Sequence, residues 1–188
     1  MAKRTLTTFI SRRQKIVPAF LCIVALLFGC AATHPPVKAQ NTVVTGTSMG
    51  CGVGGGSLYQ SFLASQPRIS AIALQLRAGG RFPAKGFTTT VRLRQESPQG
   101  KVTAETSATV AGPVTTGKLL DVTFQLPHEV TVQAGQRWMI EWITPKEGDG
   151  VLTWMMSSGD PYAGGQAYGC AGNAMSADDF VFQVRPLN

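Results

Sequence analysis

The chain has 188 residues, 44% of them hydrophobic and 14% charged, which suits one globular domain with a targeting segment and excludes wholesale disorder. Its formal charge of +7 does not mark a nucleic-acid binder, because Lys3, Arg4, Arg12, Arg13 and Lys15 supply five of the 17 basic residues. The other 12 face 10 acids, so the balance beyond residue 29 is only +2.

Residues 1–15 are basic, and 16–28 (IVPAFLCIVALLF) are almost wholly apolar. That run falls short of the ~20 residues that span a bilayer comfortably, and it carries the charge order of an export signal. Leu27-Phe28-Gly29-Cys30 resembles the lipobox of bacterial lipoproteins, with Phe28 where a small residue is usual. The resemblance implies cleavage before Cys30 and acylation of its sulfur, hence residues 1–29 as signal peptide and a lipid anchor in the cell envelope. Ala31 after the cysteine favours outer-membrane or surface sorting. The alternative is cleavage after Val37-Lys38-Ala39, giving a secreted or periplasmic product. Ser11-Arg12-Arg13 resembles a twin-arginine signal, but Lys15-Ile16 stands in place of its Phe-Leu.

Residues 30–56 read as a glycine-rich tether. Within it, Gly46-Thr47-Ser48-Met49-Gly50 satisfies the nucleophile-elbow pattern, and Gly50-Cys51-Gly52-Val53-Gly54-Gly55 the dinucleotide pattern. Neither is followed by a helical segment, and the histidines are only His34 and His128, so both motifs read as loop. Cys22 and Cys30 belong to the leader, which leaves Cys51 and Cys170 as one possible disulfide in an exported chain.

From residue 57 short alternating segments are broken by turn residues. Leu58–Leu63 and Ile69–Leu76 come first. Phe87–Arg94 follows, with Phe87, Thr89, Val91 and Leu93 inward. Val102–Val110 is polar on one side, and a row of Leu120, Val122, Phe124 and Leu126 is closed by Pro127. Val130–Val132, Arg137–Thr144, Val151–Met156 and Phe180–Arg185 complete about nine strands, an antiparallel, jelly-roll-like β-sandwich over 57–188. Trp138, Ile140 and Trp142 share a face expected to be core, because the opposite face carries Glu141. Arg92 and Arg94 form an outward basic stripe, expected to extend to Arg77 on a neighbouring strand.

Between the last two strands lies Asp160-Pro161-Tyr162-Ala163-Gly164-Gly165-Gln166-Ala167-Tyr168-Gly169-Cys170. Asp-Pro opens a turn, and Gly164-Gly165 permits backbone angles that other residues avoid. This loop, the following Asp178-Asp179-Phe180-Val181-Phe182-Gln183-Val184 and the run from Val130 to Trp142 resemble a β-sandwich module of secreted and surface-attached bacterial proteins. That module is similar to jelly-roll carbohydrate-binding domains.

The loop end offers rings, an amide and a carboxylate together, so Trp154, Asp160, Tyr162, Gln166 and Tyr168 are the candidate ligand-binding residues. The competing reading makes Trp154 core and the tyrosines a plug in the sandwich end. Asp160, Asp178 and Asp179 suit either turn capping or a structural calcium, although no calcium-loop spacing is present. No zinc spacing occurs, no metal or other cofactor is called for, and no catalytic residue is assigned. The expectation is an envelope-anchored, non-catalytic binding or adhesion lipoprotein for a glycan or surface polymer, with no nucleic-acid partner. An accessory lipoprotein docking on an envelope protein is the alternative, and a small hydrolase the third reading.

Overall fold

A computed structural model describes residues 40–42, 46–52, 55–80, 84–145 and 150–186. The expected signal peptide, Cys30 and the alternative cleavage site at Val37–Ala39 lie outside them. The described residues contain strands and no helix. The strands are β1 (Gln40–Asn41), β2 (Thr47–Met49), β3 (Gly56–Leu63), β4 (Arg68–Gly80), β5 (Phe87–Gln95), β6 (Val102–Val110) and β7 (Leu119–Thr131). After them come β8 (Arg137–Thr144), β9 (Gly150–Ser158), β10 (Ala167–Tyr168), β11 (Ala174–Met175), β12 (Asp178–Phe180) and β13 (Phe182–Arg185).

The long strands form an antiparallel sandwich. One sheet runs β2-β9-β4-β7 and the other β3-β8-β5-β6, with every neighbouring pair antiparallel. Apart from the β5–β6 hairpin, successive long strands alternate between the sheets. This is the double Greek-key order of a jelly roll. Short β10 and β11 extend the second sheet beyond β3.

The C-terminal segment is wedged into the first sheet. β4 and β9 pair from Leu76–Gly80 to Gly150–Trp154 and then part. In the gap β13 pairs with Ala71–Leu74 of β4, and β12 with Met156–Ser158 of β9. Val181 joins them, its amide donating to Met155 O at 2.9 Å.

Two sequence expectations change here. The tether is not wholly a spacer: Gln40–Asn41 pairs with β13, and Thr47–Met49 with β9. Buried Asn41 ties this segment down by donating from Nδ2 to Phe180 O at 3.0 Å. The sandwich therefore begins before residue 57, and the strands number thirteen because five of two or three residues join the longer ones. Pro127 does not end a strand either. β7 runs through it, because the register against β4 slips between Ile69↔Val130 and Ala71↔Gln125. At such an irregularity an edge strand tolerates a residue without an N–H.

The core lies between the sheets. Trp142, Trp154, Phe62, Phe124, Phe180 and Phe182 are its largest fully buried side chains. Trp154 stacks on Phe180 with centroids 4.4 Å apart and meets Trp142 edge-on at 6.2 Å. Both indoles satisfy their polar edge internally: Trp142 Nε1 donates to Thr89 Oγ1 at 2.7 Å, and Trp154 Nε1 to Val181 O at 2.8 Å.

Candidate functional site

The five expected ligand residues do not converge on one surface. Trp154 is 0% exposed and held on all sides as above, so it presents no ring to a ligand. Tyr162 is 2% exposed and lies edge-on to Phe182 at 5.2 Å. Its hydroxyl accepts from the Leu63 amide at 3.2 Å, and burial raises its pKa. Both belong to the core. The Gln166 side chain donates to Met175 O across the β10–β11 turn. Asp160 is exposed with φ of 51°, following Gly159 at 92°. Tyr168 alone reaches a sheet face, as described below.

The loop is shaped by close approach more than by unusual angles at its paired glycines. Neither Gly164 nor Gly165 has positive φ. A Cβ at Gly165 would overlap the Ser61 carbonyl, and one at Gly164 would sit 2.7 Å from Tyr162 Oη. The loop thus lies directly on β3, with Ser61 N donating to Gln166 O at 2.9 Å. The Cys51–Cys170 disulfide pins the segment before β3 to the turn after β10.

Beneath the loop lies a polar hub that sequence reasoning missed. Gln60 and Asp179 are each 0% exposed. Gln60 projects inward from β3, donates to Asp179 Oδ1 at 2.8 Å and accepts the Phe180 amide at 2.7 Å. Asp179 Oδ2 also accepts the Tyr162 amide at 3.0 Å. Burial raises the Asp179 pKa; Gln60 and the Tyr162 amide oppose the rise, and neighbouring Asp160 adds to it. Asp179 therefore serves the loop, and among the described residues no group of three or more metal-binding side chains converges. Nor can Asp160 and Asp179 work as a carboxylate pair on a glycosidic bond, because Asp179 has no access to substrate.

The outer face of the second sheet carries a different constellation. Register places Tyr168, Tyr59, Glu141, Arg92 and Glu105 in one row across β10, β3, β8, β5 and β6. Side chains directly opposite one another share a face, so the row is continuous. Tyr59 and Tyr168 are partly exposed, and neither hydroxyl has a partner among the described residues. Glu141 lies on the outer face as expected but is covered, only 3% exposed. Ser57 Oγ donates to it at 2.7 Å, Arg94 Nε at 2.6 Å, and Arg92 NH1 stands 3.6 Å away. Arg92 also bonds Glu105 at 2.5 Å, the main cause of its raised pKa. The arginine stripe is thus neutralised by two carboxylates. Arg77 is no part of it, because β4 belongs to the other sheet.

The two glycine motifs carry no site. Ser48 lies on β2 and accepts a hydrogen bond from Thr153 Oγ1 at 2.9 Å. His128 is on β7, with β9 and β4 between. Cys51 is occupied by its disulfide.

Fold and side-chain geometry define a jelly-roll sandwich with polar outer faces and a disulfide-pinned end. No family model matches the chain, and no curated protein matches it significantly.

Proposed function

We propose that this is a lipid-anchored, non-catalytic envelope protein whose sandwich binds a glycan or other surface polymer through the outer face of the β3-β8-β5-β6 sheet. One observation carries the reading: Tyr59 and Tyr168 are partly exposed cross-strand neighbours whose hydroxyls have no partner among the described residues, beside the Glu141–Arg92 network. Aromatic plates next to fixed hydrogen-bonding groups are what a sugar ring requires. The ion pairs hold Arg92 and Arg94 in place before binding, which lowers the ordering cost. The lipobox-like Cys30 supports the anchor, and the disulfide suits an oxidising compartment outside the cytoplasm.

Docking on an envelope protein is the second reading, because tyrosine and arginine on one face also match the composition of protein interfaces. The two separate in one experiment. The mature chain is screened against a glycan array and, in parallel, cross-linked in intact envelopes. Tyr59→Ala and Tyr168→Ala are expected to abolish glycan retention without changing the melting temperature, while Cys30→Ala frees the protein from the membrane fraction. Retention indifferent to both tyrosines would sink the site, and a tyrosine-dependent cross-link to a protein with no glycan retained would favour docking.

A further inference from the structure

Two carboxyls meet under the loop. Asp179 Oδ1 accepts the Gln60 amide at 2.8 Å and Oδ2 the Tyr162 N–H at 3.0 Å, and the same side chain hydrogen-bonds that of Asp160. Neither carboxylate can donate when ionised, so a bond between the two requires a proton held between them. Asp179 lies on β12 and is 0% exposed, whereas Asp160 opens the loop and faces solvent.

The loop is fixed at both ends and free to move between. At its base the Gly159 and Asp160 amides both donate to Ala177 O, at 2.7 and 3.3 Å. Its far end is held by the Cys51–Cys170 disulfide. Residues 161–166 rest on β3 through two contacts. Tyr162 Oη accepts the Leu63 amide at 3.2 Å, and Gln166 O accepts the Ser61 amide at 2.9 Å. Gly159 and Asp160, both with positive φ, turn the chain into that stretch.

We infer that Asp160 and Asp179 form a pH-sensitive latch: while they share a proton, residues 161–166 are held down on β3, and when both ionise their charges repel and the stretch lifts as a flap. A carboxyl that binds its proton more tightly in the closed state favours closure at low pH, and that contribution is lost as pH rises. Burial first, and Asp160 after it, raise the Asp179 pKa against the opposing pull of Gln60 and the Tyr162 amide, which is the direction a latch requires. Among the described residues Asp160 is the only charged side chain that shifts Asp179. β3 sets Gln60 against it, β9 pairs Ser157 with it, and β1 brings Asn41, none of them ionisable. Tyr162, its pKa raised by burial, keeps its proton below pH 8, and Arg137 of β8, which acts on that hydroxyl, stays charged. The inference concerns the loop alone and holds whether or not Tyr168 meets a glycan.

The test follows amide exchange in the full chain, disulfide intact, from pH 4 to pH 8. Protection at Tyr162 and Gly165 is taken relative to Ala64, whose amide donates to Gln136 O outside the loop. That ratio is expected to fall about ten-fold over the range, as for an Asp179 proton held about ten-fold more tightly with the loop closed. Asp160→Asn keeps the shape, tolerates the left-handed backbone, and offers an amide that donates to ionised Asp179 with no shared proton. In this variant the Asp179 carboxyl carbon should titrate at lower pH than in wild type. Tyr162 and Gly165 should be better protected than in wild type at pH 8 and not at pH 4. An Asp160 that only shapes the turn would give the same change at both ends of the range. The inference is overturned by that result, by a wild-type ratio constant with pH, or by an Asp179 midpoint that Asp160→Asn leaves in place.

Discussion

Replacing Gln60 by alanine tests whether the hub under the loop holds the sandwich together. Gln60 bridges the sheets: it reaches from β3 to the Asp179 carboxylate and the Phe180 amide of β12. Truncation leaves the Phe180 N–H without an acceptor, at a cost of about 1–3 kcal/mol, and takes one donor from a buried carboxylate, a loss of about 1.5–3 kcal/mol. Since the two losses share one side chain they will not add fully, and about 4 kcal/mol is expected. For a domain of this size that lowers Tm by roughly 8–16 °C. A pH signature accompanies the loss. Asp179 has a raised pKa in the fold, so its contribution to stability is present at acid pH and declines as pH rises through the raised value. Removing Gln60 removes a donor that favours the ionised form, so the variant should fall further behind wild type at pH 8 than at pH 4. Tryptophan-fluorescence melts across that range read both effects. A loss below about 1 kcal/mol, or one equal at both ends of the range, would refute the account of the hub.

Two further perturbations follow from the same geometry. Cys51→Ser with Cys170→Ser opens a bridge between residues 119 apart, and chain entropy alone predicts a loss of about 4–5 kcal/mol. Urea unfolding should place the double variant and the reduced wild type together, and a separation between them would contradict the bridge as the sole cause. Glu141→Ala strips the covered carboxylate from Arg94 and Arg92, whose side chains are 16% and 32% exposed, and should destabilise by about 2–4 kcal/mol. Glu141→Gln, which keeps the Ser57 contact, should lose less, and a loss at alanine no larger than that of an exposed pair would show that the network is solvated after all.

The sandwich was legible because its long strands alternate between core and solvent. Val102–Val110 and Arg137–Thr144 were bounded by turn residues and match β6 and β8 to the residue. Phe87–Arg94 was legible down to its polar inward residue, since Thr89 sits inside to receive the Trp142 indole. Strands of two or three residues have no period to detect, so Gln40–Asn41 and Thr47–Met49 read as tether. Pro127 misled for a related reason: proline ends a ladder only where its missing N–H is needed, and a register slip removes the need. For the loop, the residue types correctly marked a built structure. Its direction could not be read, because Trp154 and Tyr162 turn inward through contacts with Phe180 and Phe182, which lie far along the chain.

Candidate surfaces on a sandwich are properties of register, and register couples residues that sequence keeps apart. Tyr59 and Tyr168 meet only because β10 adds to β3, and β10 is held there by the loop lying on Ser61 and by the disulfide behind it. Gln60, the inward neighbour of Tyr59, fastens the same strand to Asp179, whose carboxylate caps the Tyr162 amide in that loop. The plug and the outer face are therefore one mechanical unit. Under the proposed function, Tyr162 and Asp179 would act by positioning β10, and Tyr168 by contact. Substitutions at the hub should consequently weaken glycan retention together with stability, whereas Tyr59→Ala and Tyr168→Ala should separate the two. If hub and tyrosine variants instead change retention without any difference in their melting behaviour, the loop is not what places Tyr168, and the second sheet presents its face without it.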